Sequence, residues 1–333
     1  MVNFIEQVRR QAMHTAAREH VSLSTDLTKR IDIFSILRQK KLWVMFQSLD
    51  LYGAYLQAKG GHGILLNSKH PPQLQRFTAA HEYGHFVMGH GSRFDTEEQI
   101  QPSRPGYDTQ EIAAQTFAAH LLMPLQLVNA VLYRMGLPLK PDYMKPQQVY
   151  RLSLELGASY LAVVNHLVSL KKVSQEAAQF MRRQSPKAIK AVLGGGVKPQ
   201  NSWADIWIFT KSDSGRTVVV YIDDELHIYL PEPLTEKHPW TINELANEGA
   251  LATVKSNTTQ WTPPGLDQED YSGYSHHFLF RAQDPGYTVL QLEKPGTQPE
   301  QFELHIQILP RQMQGLDEEQ KILLARSLWE KSE

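Results

Sequence analysis

The stretch Arg76-Phe77-Thr78-Ala79-Ala80-His81-Glu82-Tyr83-Gly84-His85 decides how this chain is read. Two histidines four residues apart lie on one face of a helix, one turn from each other. Imidazole nitrogens at that spacing suit a zinc ion, Zn2+. Bound zinc brings a water's pKa down to about 7, and Glu82, between the histidines, is placed to take its proton and hand it to a leaving amine. The motif therefore points to hydrolysis with His81 and His85 as metal ligands and Glu82 as catalytic base.

A catalytic zinc needs a third protein ligand and an open position. A histidine six residues past His85 would define the metzincin subclass, but Gly91 stands there and His90 is one residue out of register. The remaining candidates are Asp95, Glu97, Glu98 and Glu111. The first three fall in a polar loop. Glu111 opens a helix whose Ala114 and Ala118 share its face, and small residues let that helix approach the motif helix closely, which favours Glu111. His90, between Gly89 and Gly91, reads as a helix-end residue, and His62 and His70 read as surface histidines.

Working outward, helices are expected at about 4–19 and 31–39, then strands around 42–46, 52–58 and 63–67, from their apolar spacing. Pro71-Pro72 marks a break before a helix over 77–88. Residues 92–110 read as a loop and 111–123 as a helix ending at Pro124. The run Gly63-Ile64-Leu65-Leu66-Asn67 is expected as an exposed edge strand. Ile64, Leu65, Leu66 and Asn67 would there bind an extended peptide through main-chain hydrogen bonds.

Residues 146–193 read as helical, with a tight turn at Gly157-Ala158-Ser159 and Ser159 as N-cap. Gly194-Gly195-Gly196 reads as a linker. Beyond it, short β-rich runs at 206–209, 217–222, 226–230, 278–282 and 302–308 suggest an all-β sandwich, and 317–331 suggests a last helix. The expected fold class is α+β, divided into 1–135, a helical extension 136–197, a sandwich 200–312 and a terminal helix 313–333.

Composition sets bounds. The 333 residues hold 41% hydrophobic and 21% charged side chains, which is enough for sizeable cores. Lys and Arg number 34 against 35 Asp and Glu, so no global charge draws the chain to nucleic acid or membrane. The absence of cysteine excludes disulfides, thiolate metal sites and cysteine nucleophiles. Met1–His20 lacks the apolar core of a signal peptide, and Leu121–Leu132 is interrupted by Pro124, Gln126 and Asn129. The expectation is a soluble, cytoplasmic protein with no membrane contact.

Two motif blocks carry a resemblance. Gly63–Asn67 with Arg76–His85, and Glu111-x-x-Ala114-x-x-Phe117-Ala118-Ala119-His120-Leu121-Leu122-Met123-Pro124, resemble the ImmA/IrrE metallo-endopeptidases over roughly residues 1–175. The resemblance implies His81, His85 and Glu111 as zinc ligands and Glu82 as base. His120 stands where that pattern often has an acidic residue. It also implies a protein substrate, typically a helix-turn-helix repressor cleaved in stress responses or phage defence.

A second resemblance lies in Asp224–Glu232, Trp240 and His277–Gly286, which look like the chagasin-type inhibitor, an immunoglobulin-like sandwich. Its Asn-Pro-Thr-Thr-Gly loop appears here as Glu232–His238, and its Arg-Pro-Trp loop as Lys294-Pro295-Gly296 without the Trp.

Two other function classes compete. The turn at Gly157 and the basic series Lys171, Lys172, Arg182, Arg183, Lys187, Lys190 and Lys198 suggest a DNA-sensing regulator, with DNA as a possible effector. An inhibitor module fused to an inactive peptidase is the other.

Overall fold

The computed structural model describes residues 2–58, 61–91, 93–95, 108–139, 144–196, 199, 201–232, 239–243, 249–261, 263, 274–296 and 299–316. The fold is α+β. The chain divides into two compact units, one formed by Met1–Asp142, Glu155–Val173 and Gln312–Glu333, the other by Tyr143–Leu154 and Ser174–Arg311. This division does not follow the Gly194–Gly196 linker.

The first unit opens with helices α1 (Val2–Ser22) and α2 (Ile33–Gln39). Asp32 caps α2, its carboxylate accepting from the amides of Phe34 and Ser35. Strands β1 (Trp43–Gln47), β2 (Gly53–Ala58) and β3 (Gly61–Asn67) follow, then helix α3 (Pro72–Val87) and the short β4 (Arg93–Asp95). Helix α3 begins five residues before the expected start. Pro72 sits at its first position, where the missing N–H costs nothing. Helices α4 (Thr109–Leu122) and α5 (Leu125–Arg134) meet at Met123-Pro124. The whole run Thr109–Arg134 is long and apolar enough to cross a bilayer by length and composition, contrary to the expectation, yet over half of it is buried inside the protein.

The sheet runs Gly315–Leu316, β1, β3, β2, β4. Strand β3 is therefore interior: Ile64 pairs with Val44 in parallel and with Tyr55 antiparallel. This corrects the edge-strand expectation. Ile64, Leu65, Leu66 and Asn67 have their backbone bonds taken on both sides, and an incoming peptide finds no free edge there. Asn67 is occupied too, its amide donating to the carbonyls of Leu49 and Leu51 at 2.9 Å. Trp43 lies where a Cβ on Gly63 would be, so the glycine makes room for the ring.

Helix α6 (Pro146–Leu156) leads through a turn to α7 (Tyr160–Ser169). Ser159 caps α7 as expected, accepting from Ala162 at 3.3 Å. The turn residue Gly157 has φ +63°, and a side chain there would run into Arg30. Arg76 of α3 donates to the Gly157 carbonyl at 3.1 Å and to that of Ile31 at 2.7 Å, which ties this turn to the motif helix.

The second unit holds α8 (Gln175–Arg182), α9 (Pro186–Leu193) and eight strands. These are β5 (Ile206–Thr210), β6 (Arg216–Tyr221), β7 (Glu225–Pro231), β8 (Thr241–Ile242), β9 (Leu251–Thr259), β10 (Ser275–Ala282), β11 (Gly286–Lys294) and β12 (Glu300–Leu309). They form two four-stranded sheets, β5-β7-β10-β9 and β6-β12-β11-β8. Pairs β5–β7 and β6–β12 are parallel and the rest antiparallel. The sheets are thus mixed, and not clearly the immunoglobulin-like sandwich that was the expectation. Lys190 of α9 meets Asp205 at 3.0 Å and the Ala204 carbonyl at 2.7 Å, and Tyr150 of α6 donates to Asp205 at 2.8 Å. The helix expected over 317–331 lies outside the described residues.

Candidate metal centre

Helix α3 is buried along its motif: His81, Glu82 and His85 have no exposed surface, and Tyr83 and Gly84 are buried with them. Tyr83 anchors the helix to α1, its hydroxyl bonding the Glu19 carboxylate, which also meets Lys40 at 2.8 Å. Burial and that carboxylate both push the Tyr83 hydroxyl far above its ordinary pKa.

Helix α4 lies alongside because both helices present little bulk at the crossing. A Cβ on Gly84 would stand 3.3 Å from the Ala114 Cα and 3.0 Å from the Phe117 ring. This close approach carries Glu111, in the first turn of α4, to the histidines. Asp108 caps the helix, accepting from Gln110.

Ligand atoms of three residues converge. His81 Nε2 is 3.2 Å from Glu111 Oε2, His85 Nε2 is 3.4 Å from Glu111 Oε1, and the two Nε2 atoms are 3.1 Å apart. A tetrahedral ion with bonds of about 2.0–2.1 Å holds its ligand atoms about 3.3 Å apart. The distances among the two imidazole nitrogens and the two carboxylate oxygens are close to that value, and two imidazoles with one carboxylate is a donor set suited to zinc. Among the described residues no other group of three His, Asp or Glu converges in this way. Burial pushes the Glu111 carboxyl up, but the hydrogen bonds and charges of His81 and His85 outweigh it and hold the group well below the usual range. Glu97 and Glu98 lie outside the described residues, as does the side chain of Asp95.

Two neighbours escaped the sequence reading. His90 Nδ1 is 2.8 Å from His85 Nδ1, which leaves the Nε2 of His85 for the triangle. Gly89, with φ +71°, turns the chain so that His90 can reach back. The available signal was a histidine five residues after His85, flanked by glycines. Gly53 of β2 is the second: a Cβ there would come within 2.5 Å of Thr78 and 3.5 Å of the Glu82 carboxylate. The strand beside the Glu82 carboxylate is therefore β2, and the expected substrate strand β3 is the next one in. His62 bonds Tyr55 at 2.7 Å and packs on Phe86, while the His70 ring lies tilted against Tyr52; neither joins the triangle.

Of the basic series, two members are internal. Lys172 bonds Asn129 and the Leu139 carbonyl, and Lys190 is held by Asp205. Lys171, Arg182, Arg183 and Lys187 are exposed, and Lys198 lies outside the described residues.

Residues 38–167 match the family model described as Peptidase_M78, IrrE N-terminal-like domain. The match spans α3 and α4 and supports a peptidase of metallopeptidase type. No curated protein matches the chain. Among solved structures, the C-terminal part is similar to the cysteine protease inhibitor EhICP2 from Entamoeba histolytica. That similarity has 14% identity, covers 32% of this chain and 97% of the inhibitor, and has a TM-score of 0.26. The solution structure of Amebosin gives 15% identity, 31% and 98% coverage, and a TM-score of 0.25.

Proposed function

We propose that this chain is a zinc-dependent endopeptidase acting in the cytoplasm on a regulatory protein, a helix-turn-helix repressor being the substrate class its motif blocks suggest. The convergence of His81, His85 and Glu111 beside a buried Glu82 carries the reading. His81, His85 and Glu111 would hold the metal. When bound, zinc supplies Lewis acidity toward water and the scissile carbonyl. Glu82 takes a proton from the attacking water on its carboxylate and delivers it to the departing amine nitrogen. The bare backbone at Gly53 lies beside that carboxylate. His90 keeps His85 in the tautomer that offers Nε2. Burial of the whole motif strengthens each of these electrostatic contacts.

The second unit, in this reading, is a chagasin-like sandwich that modulates the peptidase, since Lys294-Pro295-Gly296 lacks the aromatic residue of the inhibitor loop. The test is Glu82→Gln. It should keep its metal, because Glu82 is no ligand, and lose cleavage of a cognate repressor by roughly two to four orders of magnitude. Cleavage at the wild-type rate by this variant overturns the mechanism.

A further inference from the structure

The sheet β5-β7-β10-β9 carries a second cluster of reactive side chains, in the other unit from the metal centre. Ser256 stands opposite Phe278 and Thr258 opposite His276, so Ser256 and His276 are diagonal neighbours on one sheet face. Ser256 Oγ lies 2.8 Å from His276 Nε2. His276 Nδ1 lies 3.1 Å from each carboxylate oxygen of Glu232, the residue that follows β7. Glu232 is fixed in turn by the Trp240 amide at 3.1 Å and the Thr258 hydroxyl at 2.6 Å. Phe278 stacks on the imidazole with ring centroids 4.3 Å apart.

The hydrogen-bond roles follow from these contacts. A carboxylate can only accept, so Nδ1 carries the proton and Nε2 keeps a lone pair aimed at the serine hydroxyl. His276 and Glu232 are buried, whereas Ser256 is exposed. We propose that Ser256, His276 and Glu232 form a catalytic triad for acyl transfer from small carboxylic esters, with the serine as nucleophile, the histidine as general base and the glutamate orienting it. Ser256 completes the hydrogen bonding of His276 Nε2 while, unlike His276 and Glu232, remaining exposed.

The chemistry balances without a cofactor. Ser256 Oγ bonds to the ester carbonyl carbon while its proton passes to His276 Nε2. The carbon–oxygen bond to the alcohol then breaks, and the alcohol leaves with that proton. Water attacks the acyl-serine, gives a proton to Nε2, and the acid departs as Ser256 regains its hydrogen. Strand β9 ends the sheet, and among the described residues no strand pairs with its other side. In an antiparallel ladder alternate N–H groups point away from the partner, so one of the consecutive amides of Ser256 and Asn257 points away from β10, the direction from which it would meet a carbonyl oxygen.

The full chain should be treated with a fluorophosphonate probe, which phosphonylates an activated serine with loss of fluoride, and the labelled peptide read by mass spectrometry. The expected result is labelling at Ser256. It should be lost in Ser256→Ala, an exposed position where the fold is not at stake, and slowed at least about 100-fold in His276→Gln. Hydrolysis of p-nitrophenyl acetate should fall in parallel. Folded protein whose Ser256 labels no faster than other exposed serines overturns the proposal, whether or not His276→Gln folds. So does His276→Gln labelling at the wild-type rate.

Discussion

His90 Nδ1 approaches His85 Nδ1 to 2.8 Å across the end of the motif helix. One of the two nitrogens must carry the proton. With His85 Nε2 giving its lone pair to a bound zinc, the proton belongs on His85 Nδ1 and the lone pair on His90. His90 is then the positioning residue that fixes the ring and raises its basicity as a ligand.

His90→Ala should accordingly weaken zinc binding by about 10- to 100-fold, the usual cost of losing an outer partner. His90→Gln keeps a hydrogen-bond acceptor within reach and should recover part of the loss. Competition with a chromogenic chelator reads both. Equal affinity in all three proteins would mean the contact is incidental.

His81→Ala and Glu111→Ala should each lose most of the bound metal, because either leaves only two of the three converging ligands. Elemental analysis of the purified proteins decides this. Full occupancy in Glu111→Ala would move the third ligand to Asp95, Glu97 or Glu98.

The metal triangle was legible because its determinants are local: the four-residue histidine spacing, and a face of small residues on the helix that carries Glu111. Gly84 opposite Ala114 is that face at work. Strand β3 was misread although the signal was present. Ile64-Leu65-Leu66 is apolar at consecutive positions, the pattern of a strand covered on both faces. Strand β9 escaped for the opposite reason, since Thr253–Thr259 is mostly polar and exposed, as befits the end of a sheet. Nor does a lysine in a sequence announce that carbonyls and a carboxylate will bury it, as they bury Lys190.

Gly53→Ala tests the strand that flanks Glu82. The added methyl would meet Thr78 at 2.5 Å and the Leu65 carbonyl at 2.9 Å, and the backbone atom cannot swing aside. Overpacking of this kind costs about 1–3 kcal/mol. Thermal melts should show the loss, and cleavage should fall further than stability alone explains because the clash shifts Thr78 and β2 next to Glu82. An unchanged melting temperature would show that β2 yields freely.

Acid should loosen both units, through one buried histidine in each. His166 donates to the Met123 carbonyl at 2.7 Å; burial and the neighbouring His120 bring its pKa down to about 4. His277 is brought down to about 3 by burial first, then by His227, Lys255 and His276. Above pH 6.5 both groups are neutral in folded and unfolded chains alike, so they add no pH dependence there. Between pH 6.5 and the folded values the unfolded chain takes up protons that the folded chain refuses, so stability falls as pH falls. At pH 5 the loss is about 2 kcal/mol for His166, from 1.36 kcal/mol per unit, and of similar order for His277. Denaturant titrations at pH 7.5 and 5 should show it. In His166→Gln the amide can still donate to Met123 but cannot ionise, so the pH dependence of the first unit should shrink by about that amount. If the variant keeps the wild-type slope, the acid sensitivity of that unit belongs to other groups, with His20 and His120, both also lowered by burial, next in line.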